Sequence, residues 1–153
     1  MTSRPVEFDF LNLDEKKIQE YASRHNGLIL GWTSAALKQI AQYMMMFANA
    51  LTLQGRDRDH LMYFTEKEFP RDRNVPRFLA SSNTLLEAQQ KISEYILENI
   101  LYALENLFDD ESKEKVSVKD VKSVLESDDE LPTISHLQEI IESRKSTQKR
   151  RLD

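Results

Sequence analysis

The stretch Thr84–Glu126, TLLEAQQKISEYILENILYALENLFDDESKEKVSVKDVKSVLE, leaves this chain little choice of fold. Thr84 and Glu87 have capping-box spacing and open a helix of about 25 residues. Leu85, Ala88, Ile92, Ile96, Ile100, Ala103 and Leu107 recur at helical spacing along one seam. Leu97, Leu101, Leu104 and Phe108 form a second seam beside it. Between Tyr95 and Phe108 the polar residues are Glu98, Asn99, Glu105 and Asn106, which leaves one thin wet stripe. A small domain's own helices are not expected to cover so much apolar surface, so a partner chain is expected to bury Tyr95, Ile96, Leu97, Ile100, Leu101, Leu104 and Phe108. After a charged loop, Ser117 and Asp120 open a second, brief helix. Val116 and Val121 stand where a hydrophobic staple places its two residues.

Upstream, Thr33–Gln54 is a strong helix in which Lys38 is the single charge. Leu37, Ile40, Met44, Phe47 and Leu51 follow one stripe, capped by Thr33 or Ser34 and ended by Gly55. Its apolar surface is wider than one stripe, so the helix is either central, packed in the chain's own core, or covered by another chain, and Leu37, Met44 and Phe47 join the candidates for such contact. Asp14–Arg24 is a weaker helix with Ile18 and Tyr21 on one side, capped by Asn12 or Asp14 and ended by Gly27. Residues 55–60, GRDRDH, form a charged connector. Leu61–Phe69 is a short helix stopped by Pro70, and residues 70–77, with two prolines, form a loop carrying Arg71, Arg73 and Arg77. Ile134, Leu137, Ile140 and Ile141 mark a last amphipathic helix. The polar end of the chain is expected to be irregular.

With 3 glycines and 4 prolines in 153 residues, long periodic segments dominate and the fold class is all-α. The chain has no cysteine, which excludes a disulfide framework and thiolate metal sites. His25, His60 and His136 lack metal-ligand spacing, and no phosphate loop, nucleophile elbow or paired-carboxylate motif occurs. No enzyme activity, cofactor or small-molecule substrate is expected. No apolar run is long enough for a membrane span and the N-terminus lacks the build of a signal peptide, so neither membrane insertion nor secretion is expected. The net charge of −5 is uneven: residues 61–130 carry −7 and residues 142–153 carry +3.

Two stretches carry a family resemblance. Arg77-Phe78 with Ser81-Ser82 and Leu86-Glu87-Ala88 resembles the loop and central-helix start of a core histone, with one extra residue before the serines. Val116-Ser117-Val118-Lys119-Asp120-Val121 with Leu125 resembles the second-loop motif of histones and histone-fold transcription subunits. The likeness covers residues 61–126. It implies a histone fold: short helix, long central helix, short helix, here with extra N-terminal helices and a short C-terminal helix. The chain then divides into an arm and weak helix at 1–27, an apolar helix and connector at 28–60, the histone-fold-like core at 61–126, a C-terminal helix at 127–142 and a basic tail at 143–153.

The resemblance further implies a heterodimer with another histone-fold protein inside a larger nuclear transcription or chromatin complex. The nucleus is the expected location, with the cytoplasm as the alternative. Its paired loops would reach double-stranded DNA through Arg71, Arg73 and Arg77 in the first loop and Lys113 and Lys115 in the second. Lys115 stands where the family has a basic residue paired with the helix aspartate, here Asp120. The central helix carries Glu87, Glu94, Glu98 and Glu105 against Lys91, so nucleosome-like basicity is missing and DNA contact is expected to be weak and salt-sensitive. The alternative is a helical adaptor with no nucleic-acid role, docking through residues 33–54.

Overall fold

Local capping chemistry sets most helix boundaries. The computed structural model describes residues 9–26, 31–106, 115–128 and 130–152, of which 24–26 and 144–152 are described as backbone only. Helix α1 (Glu15–Asn26) starts where Asp14 Oδ1 accepts the Lys17 N–H at 2.9 Å. Helix α2 (Ser34–Gln54) starts at Thr33, whose Oγ1 accepts the Ala36 N–H at 3.2 Å, and ends at Gly55. Gly55 has φ −99°, so it is not there to supply a left-handed turn. A Cβ at this position would lie 2.7 Å from Leu51 O and 2.7 Å from Leu61 Cδ1; close approach is what demands the glycine.

The short segments depart from the sequence expectation. Helix α3 (Arg58–Glu68) begins inside the expected connector because Asp57 Oδ1 accepts the His60 N–H at 2.8 Å. The first half of helix α4 (Asn74–Ser81) lies within the expected two-proline loop. Pro76 sits in its first turn, where the N–H it lacks has no helical partner to lose. Val75 and Leu79, one turn apart, are buried and hold the helix to the body.

Helix α5 (Leu85–Asn106) is the long apolar helix, with the Glu87 N–H bonded to Thr84 Oγ1 at 3.1 Å. The Glu87 carboxylate reaches back to the Asn83 N–H at 3.0 Å, one residue beyond the cap. Helix α6 (Val118–Ser127) has the full capping box formed by Ser117 and Asp120, and Val116 and Val121 are both buried. Helix α7 (Ile134–Leu152) is capped by Thr133 and continues through the segment expected as an irregular tail.

The seven helices described form two three-helix units followed by α7. The first unit is α1, α2 and α3, of 12, 21 and 11 residues. The second is α4, α5 and α6, of 8, 22 and 10 residues. The long helices α2 and α5 pack on each other, and the units are joined at two places. In the first joint, strand β1 (Gly31–Trp32), before α2, pairs in parallel with β2 (Lys115–Val116), before α6. Gly31 lies opposite Lys115 and Trp32 opposite Val116. In the second joint, the turn between α2 and α3 meets the turn between α4 and α5. Here Gln89 Nε2 donates to Gly55 O at 3.0 Å, and the Arg58 guanidinium donates to Leu79 O at 3.3 Å and to Ser82 O. Each unit therefore supplies its first loop to the other's second loop.

One core runs through both units from Phe10 to Leu137. Nine residues of α2 and nine of α5 are buried. α2 is the hub, packed by α1, α3, α5, α6 and α7. It belongs inside the core, in contact with helices of both units. An all-α fold is present, with the two-residue strands as the only sheet among the described residues.

Candidate nucleic-acid interface

The link between the units carries the exposed arginines. Phe69 ends α3 with its ring buried, edge-on to Phe47 at 6.2 Å between centroids. The Asp72 N–H donates to Phe69 O at 3.2 Å, and Asp72 Oδ1 accepts the Asn74 N–H at 2.8 Å. These bonds fix the turn and leave Arg71, Arg73 and Arg77 exposed. None of the three makes an ion pair among the described residues. Arg73 is the N-cap of α4 and provides no side-chain cap; Arg71 precedes, and Arg77 lies one turn inside, a helix end that is already electropositive. Behind them Asn74 Nδ2 donates to Tyr95 Oη at 3.2 Å, and Phe78 meets Tyr95 edge-to-face at 5.3 Å. These contacts seat α4 on α5. The surface that results can receive phosphate oxygens through rigidly based but uncommitted guanidinium groups.

The expected grouping of basic residues needs correcting. Residues 70–77 are not the loop opposite β2; the loop paired there is the one containing Gly31 and Trp32, eighty-odd residues upstream of Lys115. Lys115 is exposed on β2, at the β1–β2 joint. Lys113 and Phe108 lie outside the described residues. Among the described contacts none joins Lys115 to Asp120. Asp120 Oδ2 accepts the Ser117 N–H and Oγ–H, each at 3.0 Å, while strand alternation turns Lys115 away from the buried side taken by Val116.

The residues expected to be covered by another chain are mostly core of this one. Met44, Phe47, Ile96, Leu97, Ile100 and Leu104 have no exposed surface, Leu37 and Leu101 have 2 %, and Tyr95 is half-buried. What covers α5 is the chain's own α2, α4 and α6. External burial of that seam is therefore not required, and α2 is unavailable as the docking surface of an adaptor. The apolar side chains that do stand out, such as Met45, Tyr63 and Tyr102, are dispersed over α2, α3 and α5.

Several polar ties escape any reading of local sequence. The Tyr21 hydroxyl lies 3.1 Å from Glu94 Oε1 and 3.0 Å from Glu98 Oε1, joining α1 to α5. Burial first, then the two carboxylates, push its phenol well above the usual range. Tyr43 is fully buried and donates to Pro132 O at 2.6 Å; burial, with Asp128 and Glu68 nearby, likewise raises its phenol. His136 Nε2 sits 2.8 Å from the Glu68 carboxylate and ties α7 to the end of α3. These partners are 68 to 89 residues apart in the chain, and no local pattern announces them.

His60 is engaged on both ring nitrogens, by Asp57 at 2.7 Å and Arg56 at 3.0 Å, at the exposed start of α3. Among the described residues no group of three or more His, Asp or Glu side chains could hold a metal ion, and no helix is long and apolar enough to cross a membrane. No family model, curated protein or solved structure matches the chain.

Proposed function

We propose that this chain is a non-enzymatic histone-fold subunit of a nuclear transcription or chromatin complex, and that it carries both members of the histone-fold pair in one polypeptide. The observation behind this reading is the reciprocal joining of loops between two short–long–short helical units. Histone-fold partners pair in the same sense, crossing their central helices and bringing the first loop of one beside the second loop of the other. The two motif stretches fall on the second unit: Ser81-Ser82 and Leu86-Glu87-Ala88 bracket its first loop, and Val116–Val121 forms its second. Leu61–Phe69, expected as the short first helix, instead lies in α3 of the first unit, and α4 takes that place. The heterodimer anticipated from sequence thus becomes an internal pair, and the larger complex remains the external partner.

DNA contact in this proposal belongs to Arg71, Arg73 and Arg77 gripping backbone phosphates, with no base readout. It is weak because residues 61–130 as a whole carry −7. Duplex-DNA affinity measured across a salt series tests it. Changing the three arginines together to alanine should flatten the slope of log K against log salt by roughly 2 to 3, close to 0.9 per phosphate contact. Unchanged affinity in the triple variant would remove the DNA assignment. The internal pair has its own test in the isolated chain, which should unfold cooperatively without any added protein. A chain that gains tertiary order only with a second histone-fold protein would overturn it.

A further inference from the structure

The most extensive packing in the molecule crosses between its halves. α2, in residues 9–68, packs on α5, α6 and α7, all in residues 74–152, and both loop joints also cross that boundary. The halves are covalently connected only by Phe69-Pro70-Arg71-Asp72-Arg73. Phe69 is buried against Phe47 and belongs structurally to the first half. The effective link is therefore the four residues 70–73. Within that length the chain must turn α4 back beside α3, on which it packs.

A short link between two segments whose mutual surface is the core is the arrangement that favours exchange of segments between molecules. We infer that the chain exchanges halves with a second copy of itself. Residues 9–69 of one copy pack on residues 74–152 of the other, and the reverse. Every core contact, the β1–β2 ladder and the Arg58 and Gln89 bonds are kept, now between copies. Only the conformation of residues 70–73 differs: the turn held by Asp72 opens, and the link spans from one core to the other. Closed and exchanged forms then differ by the two turn bonds of the link, Asp72 N–H to Phe69 O and Asn74 N–H to Asp72 Oδ1, and by the effective concentration of a tethered half, which for short linkers is of millimolar order. Exchange is consequently favoured at high protein concentration and needs unfolding to reverse.

The test mixes full-length unlabelled and nitrogen-15-labelled chains, unfolds and refolds them together at about 1 mM, and reads native masses after dilution. The expected product is a mixed-mass dimer that persists on dilution. Inserting a flexible Gly-Ser-Gly-Ser-Gly between Arg71 and Asp72 should lower the dimer fraction about tenfold, because a longer link lets each half fold back on its own partner more readily. Deleting Asp72 and Arg73 should make dimer the main species. Refolding of the native chain to monomer alone overturns the inference. So does a dimer undiminished by the insertion, which would mark association of outer surfaces with the halves unexchanged.

Discussion

The two joints between the units do the same job with different chemistry. At β1–β2 the pairing is made by backbone, reinforced by Thr33, whose N–H and Oγ1 both donate to Val116 O, at 3.2 and 3.0 Å. At the opposite joint there is no ladder. Its described bonds come from two side chains, Arg58 and Gln89, reaching the carbonyls of Leu79, Ser82 and Gly55. A backbone joint tolerates changes of side chain, because any residue but proline supplies the N–H and C=O. A side-chain joint fails with one substitution and leaves stranded carbonyls behind. The second joint is also the one where the chain comes closest to itself, since Gly55 has no room for a methyl group.

The largest effect should come from filling that space. Gly55→Ala must displace either the Leu51 carbonyl or Leu61, for a loss of about 1–3 kcal/mol in denaturant unfolding. A variant as stable as the parent would show that the joint yields easily. Arg58→Met keeps the aliphatic stem and removes the donors. It should cost about 1.5–2 kcal/mol, near the lower end for bonds to a charged group because the site is only partly buried. At the ladder, Thr33→Val removes the cap and the hydroxyl bond but keeps the backbone bond, for a loss of about 1 kcal/mol. If Thr33→Val proved more damaging than Arg58→Met, the contrast between backbone and side-chain joints would be reversed.

The smallest effect should be one of pH. Hydrogen bonding from the His60 N–H, foremost, lowers the Asp57 carboxyl below its usual range, and the Asn83 N–H followed by Lys91 does the same for Glu87. Both carboxylates start helices at the side-chain joint, α3 and α5. A lowered folded-state value means that the stabilisation is present above about pH 4–5, the ordinary carboxyl range, and is lost as pH falls through the folded values. Amide exchange measured on descending below about pH 4 should therefore loosen near Asp57 and Thr84 more than at Thr33, whose cap does not titrate in that range. Equal loosening at the two joints would remove the assignment to these carboxylates. Raised phenols act at the other extreme. Tyr21 and Tyr43 contribute stability that is present below about pH 10, the ordinary phenol value, and lost as pH rises beyond it.

Much of this fold is legible residue by residue where a single turn of chain carries the information. The Ser117–Asp120 box, the Thr33 cap, the Asp14 cap and the end of α2 at Gly55 can each be read within four residues. The apolar stripes of α2 and α5 are equally plain. Helix α4 is not, because two prolines spell a loop unless one of them lands in a first turn, as Pro76 does. Nor do Gly31-Trp32 and Lys115-Val116 announce a ladder; two residues carry no alternation to read. Among the candidate site residues, the exposure of Arg71, Arg73 and Arg77 was legible from their charge. The place of Arg71 and Arg73 on a link between two units, and of Arg77 on a helix beside it, was not.

By itself the sequence determined most of the helical segments, α4 and the far end of α7 excepted, where most of them begin, and that α2 and α5 are too apolar to face water. Those properties depend on intrinsic propensity, periodicity and capping, all of which act over a few neighbouring residues. Only the tertiary structure decided that the two apolar helices satisfy each other. Burial is set by which surfaces meet, and hydrophobic attraction is non-directional; an uncovered stripe looks the same whether its cover comes from another molecule or from fifty residues upstream. The seam that pointed outward to a partner is closed by the chain's own first half.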